Sequence, residues 1–231
     1  MDTFNFKLIN LKRVKSFVDI GCGNGRHLKS LSSKLYNCNL IGIDHSSKEI
    51  DHLNSEFKNY ICKNQNNYKF IEGDIRELNI ENSSQDLVIC SEVLEHVPNF
   101  ERVLNECKRI LKPNGVLLIS VPSYLPEKLC WFFSKEYQQT PGGHIRIFTK
   151  SFLNEVFKNQ GLRVFKRHKQ HAFHSLYWII RSRNRMNDSK FLQSFHELLV
   201  KQMFGKAMLS ANLEKLINPL FGKSECFYLQ K

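Results

Sequence analysis

What the chain lacks narrows it first. Its 231 residues contain no uninterrupted apolar run near the ~20 residues that cross a bilayer, which excludes a spanning helix. The opening stretch MDTFNFKLINLKRVKS has no basic, apolar and small-residue regions in the order of an export signal, so the expected location is the cytoplasm. No C-x-x-C pair occurs. The seven cysteines (22, 38, 62, 90, 107, 130 and 226) are odd in number and fall mostly in apolar segments, which speaks for reduced thiols and against a disulfide framework or a thiolate zinc site. With only 6 Pro and 11 Gly, 42% apolar and 24% charged residues, wholesale disorder, collagen and low-complexity arrays are excluded. Repeats, flexible linkers, a C2H2 finger and an RRM signature are all missing. One globular domain, 1–231, is the expectation, with no stable protein partner.

Acidic residues are also scarce, and unevenly so. The net charge is +12, and residues 161–231 carry 13 Lys and Arg against 4 Asp and Glu, or +9. Any anionic partner, RNA or an acidic membrane surface contacted peripherally, meets that C-terminal third first.

Along the first 160 residues two periodicities alternate. SFVDIG (16–21), NLIGID (39–44), YKFIEG (68–73), DLVICS (86–91) and GVLLISVP (115–122) read as parallel strands apolar on both faces. Between them, 47–63 (Ile50, Leu53, Phe57, Ile61) and 100–111 (Val103, Leu104, Cys107, Leu111) have helical spacing. A helix at 149–159, a strand from Leu162 to His168, two or three helices in 171–223 and a last strand at 224–230 complete the pattern. The fold expected is a doubly wound, mostly parallel seven-stranded α/β sheet with a helical C-terminal insertion.

The sharpest local signal is Val18-Asp19-Ile20-Gly21-Cys22-Gly23-Asn24-Gly25-Arg26, where the first strand ends. Glycines there let the backbone approach a ligand. The spacing is G-x-G-x-G with an acid two residues before, unlike the dinucleotide pattern, and no Lys-Ser/Thr follows as in a Walker loop. Further acids close or follow later strands: Asp44 in IGID and Asp74 in EGDI. With these motifs in order over residues 14–168, the sequence resembles the class I S-adenosylmethionine-dependent methyltransferases. The resemblance implies that 14–122 is the cofactor-binding core. It puts Gly21, Gly23, Gly25 and Asp19 at the methionine end of S-adenosylmethionine, Asp44 on the ribose hydroxyls, Asp74 and Ile75 at the adenine, and the Ser91 backbone near the methionine portion.

After the fourth strand comes Glu92-Val93-Leu94-Glu95-His96. Read as one helical turn, it puts Glu92, Glu95 and His96 on one face toward the cofactor, able to chelate a cation or supply a general base. The later Gly142-Gly143-His144 makes the set similar to two methyltransferase branches, the ubiquinone-type O-methyltransferases and the small-RNA 3′-terminal 2′-O-methyltransferases. That similarity implies Glu92, Glu95, His96 and His144 as ligands of a divalent metal, Mg or Zn, and His96, Glu92 and His144 as the catalytic group.

Only about fifteen residues precede the first strand, so cover for an acceptor has to come from 123–145 and 171–223, with Trp131, Phe132, Tyr177 and Trp178 as candidate lining. The favoured reading is O-methylation of a small, partly apolar or lipid-like hydroxylated molecule (phenol, quinol or glycolipid). An RNA 2′-O-methyltransferase and a non-catalytic S-adenosylmethionine-binding protein are the alternatives.

Overall fold

The computed structural model describes residues 2–58, 64–140, 142–184, 189–203 and 208–231. Ile61, Cys62 and Arg185 lie outside them. In chain order the elements are β1 (Ser16–Ile20), α1 (Arg26–Ser32), β2 (Asn39–Asp44), α2 (Ser47–Lys58), β3 (Asn67–Glu72), β4 (Gln85–Ser91), α3 (Phe100–Ile110) and β5 (Leu111–Pro122). Then follow α4 (Tyr124–Phe133), α5 (Lys135–Gln138), α6 (Lys150–Asn159), β6 (Arg163–Gln170), α7 (Ala172–Arg183), α8 (Lys190–Met203), α9 (Met208–Phe221) and β7 (Ser224–Gln230).

The strands form one sheet in the order β3-β2-β1-β4-β5-β7-β6, parallel except for β7, which runs antiparallel to both neighbours. The order reverses between β1 and β4, and it is outside the carboxyl ends at such a reversal that open α/β sheets bind ligands. β5 starts earlier than GVLLISVP suggests, because Leu111 already pairs with Gln85 before a register shift around Pro113-Asn114-Gly115.

Both faces of the sheet are covered, which is why its central strands are apolar without alternation. Successive residues of β4 go to opposite layers. Val88 and Cys90 join Val103, Leu104, Leu153 and Phe157 beneath α3 and α6. Leu87 and Ile89 join Leu28, Leu31, Leu53 and Phe57 beneath α1 and α2. The residues before β1 fold back onto this second layer. Phe4 and Phe6 are buried in it, and the Asn5 N–H donates to the Tyr228 hydroxyl at 2.6 Å.

The outer strands are polar. β6, RVFKRHKQ, presents charge on the exposed edge, which discourages pairing with another sheet. Leu118, fully buried in β5 between β4 and β7, has no space to collapse into. Leu118→Ala is expected to cost about 2–5 kcal/mol, read as a fall in the denaturant midpoint without loss of the folded baseline.

Candidate active site

At the end of β1 the chain turns through Gly21, whose φ of +68° suits glycine, and a Cβ there would meet Val93 Cγ2 at 2.5 Å. Gly23 differs, because a Cβ at that position would project into open space. The loop is therefore shaped as a cradle that a ligand can approach.

Beneath it Asp19 is buried, and its Oδ2 has no hydrogen-bond partner among the described residues. Burial pushes this carboxyl up to about 8; the nearby Asp44 adds to the effect and Arg26 opposes it. Asp44 is buried too, but its oxygens are met: Oδ2 accepts from Gly23 N–H at 2.8 Å and Oδ1 from Ser46 N–H at 3.0 Å. Asp74 is exposed and clasped by Arg76, whose side chain donates to both oxygens and whose backbone N–H donates to Oδ1 at 2.8 Å. Those bonds hold the carboxyl down at about 2.

A cleft of about 970 Å³ has Gly21, Asp44, Asp74, Ile75, Glu92 and His96 in its wall. Asp19, Gly23, Gly25 and Ser91 are outside that lining; the Ser91 hydroxyl bonds Ser120 Oγ at 2.9 Å. A second cavity of about 500 Å³, lined by Trp131, Thr140, His144 and Ile145 among others, shares His96 and Gly142 with the first. The two cavities meet at His96.

The expected helical turn over Glu92, Glu95 and His96 does not form. Glu92 takes a left-handed conformation with φ of +54°, and a short 3-10 turn, Leu94–His96, begins only afterwards. The bend sends the Glu92 carboxylate to Ser120, whose hydroxyl donates to it at 2.9 Å. Glu95, His96 and His144 are brought together, with one ligand atom from each lying within 4.8 Å of the others. Glu92 stands outside that set.

Glu95 is fully buried, and neither of its oxygens has a hydrogen-bond partner among the described residues; His96 Nε2 stands 3.8 Å from Oε1. Burial first, and then the Glu92 charge, hold its carboxyl well above the usual range.

The tautomers of the two histidines follow from their neighbours. His96 Nδ1 lies 3.1 Å from the Gly143 carbonyl oxygen, which can only accept, so Nδ1 carries the proton and Nε2 the lone pair. Burial, reinforced by His144, keeps His96 below its ordinary value and hence neutral. His144 Nδ1 donates to Glu127 Oε1 at 2.7 Å, leaving its own Nε2 free in the same way.

Glu127, on α4, is buried and also accepts from Trp131 Nε1–H at 2.9 Å and from the Tyr137 hydroxyl at 3.1 Å. Burial beside this carboxylate pushes the Tyr137 phenol up, so it remains a donor. Sequence reasoning marks Trp131 and misses both Tyr137 and the acid that joins the two. Among the other cap aromatics, Phe132 points to solvent, whereas Trp178 packs on Tyr137 with ring centroids 5.6 Å apart.

A family description, methyltransferase domain, matches residues 2–166. The chain belongs to the class I S-adenosylmethionine-dependent methyltransferases. Among members with curated names it is 23% identical over 169 residues to the sterol 24-C-methyltransferase of Candida albicans, an alignment covering 68% of this chain and 42% of that one. It is 32% identical over 106 residues to the ubiquinone biosynthesis O-methyltransferase of Coxiella burnetii, covering 46% and 43%. The chain thus spans about two fifths of the length of these relatives. In fold it is similar to a putative methyltransferase from Bacillus halodurans, with TM-score 0.64, 18% identity and coverage of 98% and 96%. It is also similar to the [4+2]-cyclase SpnF, with TM-score 0.62, 15% identity and coverage of 96% and 76%. Among the described residues no helix of this methyltransferase is long and apolar enough to cross a membrane.

Asp19 yields a pH prediction. The unfolded chain ionises it near ~3.9 and the folded chain near about 8, so the folded state loses stability as pH rises through that window. In thermal melts of ligand-free protein, the Tm of Asp19→Asn relative to wild type should therefore climb from pH 5 to pH 8. A difference that stays constant across that range contradicts the assignment.

Proposed function

We propose that this methyltransferase moves a methyl group from S-adenosylmethionine to a hydroxyl oxygen of a small, partly apolar acceptor of the phenol, quinol or glycolipid type. The observation that carries the reading is the pair of histidines, each with Nδ1 engaged and Nε2 free, at the junction of the two cavities.

The residues fit the cofactor. Asp19 has an unmet acceptor, which suits the cationic amino group, and Gly23 leaves room for close approach. Asp44 Oδ1 accepts from Ser46 N–H and lies 3.2 Å from His45 Nδ1, while Oδ2 accepts only from Gly23 N–H and keeps a lone pair for a ribose hydroxyl. Asp74, held by Arg76, and Ile75 flank the adenine end, and the Ser91 backbone the methionine end. When bound, the cofactor supplies an electrophilic methyl carbon on a positively charged sulfur.

In the proposed reaction the acceptor enters the 500 Å³ cavity beside Trp131 and His144. His96 Nε2 takes the proton of its hydroxyl. The oxygen then forms the new O–C bond while the C–S bond breaks, and the proton leaves on His96. Glu127 fixes the ring of His144, and Trp131 and Tyr137 fix Glu127, so the geometry is set before the acceptor arrives. The segments 123–145 and 171–223 exclude water in this scheme. α4 and α7 pack on one another, and Trp178 closes on Tyr137.

Glu95, His96 and His144 also fit a divalent ion. The two unpartnered Glu95 oxygens lack a cation, and two imidazoles with one carboxylate suit Zn better than Mg. Held through His96 Nε2, such an ion would replace that nitrogen as the group that activates the acceptor, lowering the pKa of its hydroxyl in place of proton transfer to His96. Glu92, bonded to Ser120, is left as an outer support.

Two results are expected. With a panel of phenols, quinols and glycolipids and isotopically labelled methyl donor, label should appear on oxygen, and His96→Ala should cut kcat by about 10²–10⁴ with cofactor affinity unchanged. Label found only on carbon or only on RNA overturns the reading. Asp44→Ala should instead weaken cofactor binding by about 1.5–3 kcal/mol, measured by titration calorimetry.

A further inference from the structure

We propose that the face formed by α9, the outer edge of β6 and the N-terminal segment docks on an anionic lipid bilayer. The inference is independent of the acceptor chemistry above.

From residue 212 on, α9 is built inside out. Among the described side chains of the helix the polar Glu214 and Asn218 are the buried ones, while Leu213, Leu216 and Leu220 stand 55%, 77% and 67% exposed. The inversion has a local cause. α7 starts at Ala172 without a side-chain cap, and its first N–H groups need acceptors. Asn218 Oδ1 accepts from Ala172 N–H at 2.9 Å and Glu214 Oε1 from Phe173 N–H at 3.0 Å. Gln202 donates to the other Glu214 oxygen at 2.7 Å, and the Asn218 amide donates to Gln170 at 3.0 Å. With its polar side committed to capping α7, α9 turns its leucines outward, at steps of three and four that align them in one stripe.

On the same helix Lys215 and Pro219, each one residue before a stripe leucine, open instead onto a groove of about 930 Å³ whose lining also includes Lys7, Leu8, Lys166, Arg167 and Lys169. Arg167 is paired with Glu225, and Asp2, also in the lining, is paired with Lys34. Lys7, Lys166, Lys169 and Lys215 form no ion pair among the described residues.

Exposed leucines and lysines without ion pairs, carried by one helix and the strand edge packed on it, match a surface that offers phosphate at one depth and acyl chain just below it. A nucleic acid would engage the cations and leave the leucines in water. A second copy joined through a two-fold axis would bring the same cations against themselves.

The test uses the full chain, sedimented with vesicles of phosphatidylcholine alone and of equal parts phosphatidylcholine and phosphatidylglycerol. Binding is expected only to the second. It should fall by about tenfold or more in Lys166→Ala/Lys169→Ala/Lys215→Ala, and likewise in Leu216→Glu/Leu220→Glu. Both variants should keep the wild-type Tm and cofactor affinity. As a check that needs no variant, anionic vesicles should slow amide hydrogen exchange in Leu213–Leu220 of the wild type. The proposal is overturned by absent vesicle binding, by binding that survives the leucine substitutions, by binding to single-stranded RNA in place of vesicles, or by a dimer that the leucine variant dissociates.

Discussion

Taking carboxylates out of water at the carboxyl edge of the sheet is the constraint on which the site depends. Asp19, Glu95 and Glu127 are all buried there, and only Glu127 is met by donors. A buried carboxylate without partners gives up its charge by taking a proton, which is what the raised values of Asp19 and Glu95 express. Glu127 shows the opposite solution, three donors from Trp131, Tyr137 and His144 converging on one side chain. The contrast separates the roles. Glu127 is already complete and fixes its neighbours, whereas Asp19 and Glu95 keep oxygens without a hydrogen-bond donor.

The strand order explains why these groups gather. β1 and β4 lie side by side at the reversal of the sheet, so the turn after Asp19 and the bend at Glu92 open on the same cleft. α4 and the loop carrying His144 come in over β5, and a backbone bond from Ile145 N–H to the Glu95 carbonyl, 3.0 Å long, ties that loop to the β4 end. The glycine loop, His96 and the cavity beside His144 are thereby placed within reach of one another by main-chain geometry, before any side chain is chosen.

The fold was legible because strands buried on both faces are written as apolar runs, and the five central strands are found within a few residues of such runs, with the polar β3 and β6 at the two edges. The glycine loop was legible for a related reason, since only glycine serves where φ is +68° against Val93. Helical periodicity misled at Glu92, because a single left-handed residue rotates everything after it and leaves no mark in the spacing. Glu127 was hidden, since an acid in YLPEKLCWFF looks solvated and its partners Tyr137 and His144 are 10 and 17 residues away. α9 inverted the usual reading because it answers a need of α7 that its own sequence does not contain. The clasp of Arg76 on Asp74 is local, yet a lone acid after a strand cannot be told from a simple turn former without the side-chain geometry.

The unmet acceptor of Asp19 is the point at which this account stands most exposed. Ligand-free protein holds a proton on this carboxyl at neutral pH, and a cationic amino group arriving beside it should drive that proton off. Titration calorimetry of S-adenosylmethionine binding at pH 7, repeated in buffers of different ionisation enthalpy, counts the protons directly. Release of roughly one proton per cofactor bound is expected for the wild type, and loss of that release in Asp19→Asn. Binding without proton release, or the same release in the variant, would contradict it.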